Sequence, residues 1–156
     1  MILGLHHISI TTPDLDRLTA FYHDLFGFDF KDKADSAGGG ADLDRITGLT
    51  DAKIKINLLR MENTLLELVG FEQPQVKAGN VNRLVSEQGI THFCMAVSDI
   101  QEEYARLAAA GVRFQCPPLK FDGVGWATHG RDPDGNIFEL VESEPSAQRA
   151  GTDHGD

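Results

Sequence analysis

The sequence predicts an α+β fold made of two copies of one unit: a strand, a helix, then three strands. Three observations lead there. His7 and His92 open two similar segments, L-H-H-I-S-I-T-T-P-D-L from Leu5 and T-H-F-C-M-A-V-S-D-I from Thr91. Each histidine is followed seven residues later by an aspartate, Asp14 or Asp99, and then by a helical apolar stripe. Glu-Leu-Val recurs late in each half, as Glu67-Leu68-Val69 and Glu139-Leu140-Val141.

Taken in order, alternation over Ile8 and Ile10 predicts the first strand. Leu15, Leu18, Phe21, Tyr22 and Leu25 then make a helical stripe, with Thr12-Pro13 as a start signal and Gly27 as a stop. His7 to Glu67 spans 60 residues and His92 to Glu139 spans 47, and the surplus falls in the Gly-rich stretch from Asp35 to Leu49. Module one is expected over about residues 3–72, a polar connection over 73–88, and module two over 89–144. In module two Ile100, Tyr104, Leu107 and Ala108 repeat the stripe and Gly111 closes it. Asp132-Pro133-Asp134-Gly135-Asn136 predicts a hairpin turn between the last two strands. Residues 145–156 are expected to be a disordered tail beyond a single domain of residues 1–144.

The bulk numbers exclude more than they assign. The length suits one domain with a real core. A net charge of −10 with no Lys/Arg cluster argues against nucleic acid and anionic membranes as partners. No apolar run approaches the roughly 20 residues that span a bilayer. No charged leader precedes the first strand, and Cys94 and Cys116 make no disulfide framework, so a cytoplasmic location is expected.

Strand parity selects the chemistry, because alternate residues point to opposite faces. Ile8 and Ile10 share one face, leaving His7, Ser9 and Thr11 on the other; His6 would bring Ile8 with it, so His7 is the better candidate. Phe93, Met95 and Val97 leave His92, Cys94, Ala96 and Ser98 opposite. Leu66 and Leu68 flank Glu67, and Phe138 and Leu140 flank Glu139. Four strands thus each present one His or Glu on a small-residue face suited to the inside of a half-barrel. Two carboxylates and two imidazoles in one cleft carry a desolvation cost that a divalent cation offsets. The donor set suits nickel, cobalt, zinc, manganese or iron better than calcium. His129, near Trp126, is a lesser candidate for a substrate role. Cys94 reads as a small thiol, and Arg131, Lys120 and Arg60 are cations that could meet an anionic substrate.

These motifs, with F-Y-x-x-L-F-G-F from Phe21, L-L-E-L-V and R-D-P-D-G-N-I-F-E-L-V-E, resemble the vicinal oxygen chelate superfamily over about residues 3–143. That superfamily includes glyoxalase I, methylmalonyl-CoA epimerase, extradiol dioxygenases and bleomycin-resistance proteins. The resemblance implies two βαβββ modules forming an open barrel around one metal ion, often in a homodimer. Its four ligand positions fall on His7, Glu67, His92 and Glu139. Glutathione use is not expected, because Thr11 and Phe71 stand where glyoxalase I has Arg and Asn. The run from Gly48 to Leu68 is more similar to epimerase-like members.

The expected activity is therefore that of a lyase or isomerase acting on a small-molecule substrate. It would move a proton alpha to a carbonyl through an enediolate stabilised by the metal, with Glu139 or Glu67 as the base. An iron-dependent dioxygenase is the first alternative, against which Glu67 counts as a crowding fourth ligand. A binding protein that sequesters a small molecule or antibiotic is the second.

Overall fold

The computed structural model describes residues 1–144, with side chains except at 32–37. The chain divides into two compact units, Met1–Gly79 and a second that begins at Asn80. Each carries the predicted α+β module.

In the first unit β1 (Ile8–Thr12) leads into α1 (Leu15–Ala20), which continues as a π-helical turn over Phe21–Leu25. Then follow β2 (Asp29–Gly39), α2 (Ala41–Thr47), β3 (Lys53–Met61) and β4 (Thr64–Gln73). The four-stranded sheet has the order β1-β4-β3-β2, with β1 parallel to β4 and the other pairs antiparallel. The repeated aspartate has a structural cause: Asp14 caps α1, its carboxylate accepting from the Arg17 N–H at 3.1 Å. The stripe behind it buries Leu18 and Tyr22 completely, on the side where Leu59, Leu66 and Leu68 are also buried.

The stretch expected to hold the surplus contains α2. It has no buried residue and no side-chain cap at Gly40. Gly48 closes it in the left-handed region at φ 70°, which glycine reaches without strain. The Asp44 carboxylate then accepts from the N–H groups of Asp51 and Ala52, at 2.9 and 2.8 Å, and turns the chain into β3.

The second unit repeats the order: β5 (His92–Ala96), α3 (Ile100–Ala109), β6 (Arg113–Phe114), β7 (Leu119–Phe121), β8 (Gly125–Arg131) and β9 (Ile137–Ser143). Its sheet runs β5-β9-β8-β6, the same path as in the first unit. Asp99 caps α3 by accepting from the Glu102 N–H, as Asp14 does for α1. One strand is split in two: β6 and β7 lie one after the other along the same flank of β8. Pro117 and Pro118 between them have no N–H to donate, so the ladder is interrupted there. Ile100, Leu107, Phe138 and Leu140 form the buried core, with Phe114 edge-on to Phe138 at 5.9 Å.

The predicted turn between β8 and β9 is organised by Asp132, only 1% exposed. Its carboxylate accepts from the N–H groups of Asp134 and Asn136 and from Asn136 Nδ2. No helix among the described residues is long and apolar enough to cross a membrane.

Candidate metal centre

Each sheet brings its predicted histidine and glutamate together. In the first unit His7 Nε2 stands 3.8 Å from Glu67 Oε1. In the second, His92 Nε2 stands 3.2 Å from Glu139 Oε2. All four side chains are part-exposed, from 23% for Glu139 to 39% for His7, so solvent and a small molecule can reach them. The expected parity is observed: Ile10 is buried while Ser9 and Thr11 on its flanks are exposed, and Leu66, Leu68, Phe138 and Leu140 are buried beside the two glutamates.

The residue two places after each histidine supports the glutamate. Ser9 lies in register with Glu67, and its hydroxyl donates to Oε1 at 2.8 Å. Cys94 lies in register with Glu139 in the same way and donates to it through its thiol. Although the Cys94 surface is open, the atoms around the sulfur desolvate it. That desolvation first, then the hydrogen bond and charge of Glu139, push the thiol up to about 12. Cys94 is therefore placed as a neutral donor that orients a carboxylate. Each histidine also has its Nδ1 engaged, His7 with His6 Nδ1 at 2.8 Å and His92 with Thr91 Oγ1 at 3.0 Å. Outer partners of this kind fix the ring and present Nε2 to a metal.

A third imidazole joins the second pair. His129 on β8 lies directly across from Glu139 on β9, with Nε2 3.9 Å from Oε1 and its ring 4.8 Å from that of His92. Burial first, then the nearby His92, hold its pKa below the usual imidazole value, and Glu139 partly opposes them. His129 is thereby biased to the neutral form that can bind a metal or accept a hydrogen bond. Donor atoms of His92, His129 and Glu139 all lie within 4.8 Å of one another. Donors at about 2.0–2.1 Å from a single ion lie roughly 3–4 Å apart, so these side chains fit a divalent cation. The signal for His129 is present in the sequence: a hairpin closing at Asp132–Asn136 places residue 129 opposite 139.

Of the cations considered from the sequence, Lys120 stands 3.6 Å from a Glu144 carboxylate oxygen. Arg131 spends its guanidinium on backbone carbonyls, those of Arg83 at 2.7 Å, Gly135 at 3.0 Å and Val81 at 3.5 Å.

Two βαβββ sheets with this strand order, each presenting a histidine against a glutamate, define a glyoxalase-type fold. The chain belongs to the Glyoxalase/Bleomycin resistance protein/Dioxygenase superfamily, whose family model matches residues 4–140. It is 26% identical over 141 residues to the mitochondrial methylmalonyl-CoA epimerase of Dictyostelium discoideum, covering 88% of this chain and 77% of that protein. Against the mitochondrial methylmalonyl-CoA epimerase of Mus musculus it is 22% identical over 145 residues, covering 89% and 72%. Among solved structures, a glyoxalase family protein from Bacillus cereus matches with a TM-score of 0.82 at 22% identity, over 92% of this chain and 95% of that one. The fosfomycin resistance protein FosX of Listeria monocytogenes, as a mutant in complex with Mn(II) and 1S,2S-dihydroxypropylphosphonic acid, matches with a TM-score of 0.64 at 20% identity, over 95% and 98%. At these identities the structural likenesses establish the fold.

Proposed function

We propose that the chain is a divalent-metal-dependent isomerase or lyase that moves a proton on a carbon alpha to a carbonyl, with His7, Glu67, His92 and Glu139 as the metal ligands. The observation that carries this reading is the paired geometry. Equivalent positions of both modules set a histidine Nε2 3.8 or 3.2 Å from a glutamate oxygen, and a hydroxyl or thiol braces each carboxylate. The likeness to two methylmalonyl-CoA epimerases supports the reaction class, since inverting a carbon beside a carbonyl removes and returns one proton.

A bound divalent cation supplies Lewis acidity toward substrate oxygens. The chain's residues supply the rest. Glu67 or Glu139 takes the proton from carbon and returns it, while the C–H electron pair rests on the carbonyl oxygen. Ser9 and Cys94 hold the two carboxylates in place through the reaction, and the donor metals stay those named from the sequence: nickel, cobalt, zinc, manganese or iron. A homodimer belongs to the same proposal and is checked by sedimentation.

Methylmalonyl-CoA in deuterated water, followed by NMR for exchange at the alpha carbon, is the first assay. Glu67→Gln and Glu139→Gln are expected to keep metal and to lose exchange by on the order of 10²–10⁴-fold. Exchange at the wild-type rate in both variants sinks the proposal.

One observation favours a second reading. His92, His129 and Glu139 offer two imidazoles and one carboxylate, the donor set of non-haem Fe(II) oxygenases. Oxygen consumption by the iron-loaded protein, lost in His129→Ala, would select that reading over proton transfer.

A further inference from the structure

The second unit contains a cavity of about 600 Å³, within the range of small-molecule pockets. It begins at His129 and runs toward the edge strand β6. Leu84, Val85 and Ile137 give it apolar wall, and Arg113 stands in it beside the hairpin.

Register explains how this cavity meets the candidate metal centre. Directly paired residues project to the same face of a sheet. Arg113 pairs with Arg131, Arg131 with Ile137, and Ile137 with His92, so one row across the sheet reads His92, Ile137, Arg131, Arg113. The next row holds Cys94, Glu139 and His129. All of these share the face that carries the His92–Glu139 pair. Arg113 is the diagonal neighbour of His129, a separation of about 7–8 Å. A single small molecule can therefore reach both.

The two arginines differ in what they already hold. Arg131 is engaged by three backbone carbonyls and pins the 81–83 segment, which with residues 84–86 walls the cavity. Arg113 is exposed, and its side chain has no hydrogen-bond or ion-pair partner among the described residues. Like charges placed directly opposite on paired strands are unfavourable. An oxyanion at Arg113 relieves that repulsion, and the flat guanidinium fork matches it with two parallel N–H donors.

We infer that Arg113 is a substrate-binding residue: it receives the oxyanion of a small acid whose reacting carbon lies at the His92–His129–Glu139 end of the cavity. The placement of the reacting carbon rests on the proton-transfer reading above; the oxyanion subsite does not. The substrate class is then a carbonyl compound that also carries a carboxylate or phosphoryl group.

Titration calorimetry on the full-length protein as purified tests this with three probes: succinate, inorganic phosphate and neutral succinamide. Arg113→Gln is expected to weaken oxyanion binding at least tenfold, Arg113→Lys to restore most of it, and both to leave metal content and circular dichroism unchanged. Succinamide is expected to show no dependence on residue 113. Arg113-dependent binding of succinate places a carboxylate at this end, and Arg113-dependent binding of phosphate alone places a phosphoryl group there. Equal binding of both anions by wild type and Arg113→Gln overturns the inference. If deuterium exchange fails while the Arg113 dependence holds, only the proton-transfer reading falls; the reverse result removes the subsite alone.

Discussion

At the scale of single residues, the His92–His129–Glu139 group shows how neighbours set protonation. His129 has its pKa lowered by burial first and by His92 second, with Glu139 acting the other way. A group depressed in the folded state binds fewer protons there than when unfolded. Its contribution is present above the ordinary imidazole pKa and is lost as pH falls through the folded value. In the metal-free protein, NMR titration of the imidazole protons should place the His129 midpoint below that of a free histidine. His92→Ala should move it up and Glu139→Gln should move it further down. An unmoved midpoint in both variants would contradict this account of the pair. Cys94 allows a second check. Its thiol is pushed up to about 12, so iodoacetamide at pH 8 should modify it more slowly than a free cysteine despite its exposure. Rapid modification, read by mass spectrometry, would show that desolvation and Glu139 together do not hold the thiol neutral.

At the scale of elements, the two aspartates explain why the repeat was legible. Asp14 and Asp99 recur at one spacing because each closes the first turn of a helix whose stripe must meet its sheet. Asp14→Ala and Asp99→Ala should each cost about 1 kcal/mol. That corresponds to about 2–4 °C in melting temperature for a chain of this size. A fall well outside that window in either variant would show the cap doing more, or less, than ending a helix. Gly130→Ala should cost more. A Cβ there would run into the Phe138 ring, which is fully buried and packed on its cross-strand partner. Other elements were hidden for physical reasons. The helix α2 buries nothing, so it writes no apolar period, and its Gly40 start lacks a capping side chain. The strands β6 and β7 are two and three residues long, too short to alternate visibly. Arg113 was hidden with them, since its place beside His129 depends on a pairing no periodicity announces. His129 was within reach, because the turn at Asp132–Asn136 sets its register, whereas the likeness between halves extends only to one His and one Glu in each.

At the scale of the whole molecule, the repeat leaves two metal arrangements to distinguish. The proposal takes one imidazole and one carboxylate from each half for a single ion, whereas the second unit by itself already gathers three donors within 4.8 Å. Linkage separates the two arrangements. A cation that binds only the folded chain stabilises it by RT ln(1 + [L]/Kd), about 2.7 kcal/mol at a hundredfold excess over Kd. Adding manganese, zinc, nickel or cobalt to metal-free protein should therefore raise the melting temperature by several degrees, and a chelator should reverse the rise. With ligands drawn from both halves, His7→Ala and His92→Ala should each remove most of that rise and lower the bound metal below one ion per chain. Metal analysis and thermal scans on the same samples read both quantities. A His7→Ala protein that keeps the full rise and one ion, beside a His92→Ala protein that loses both, would confine the metal to the second unit. The duplicated His–Glu pair of the first half would then be a relic of the repeat, and the oxygenase donor set would become the better description of the site.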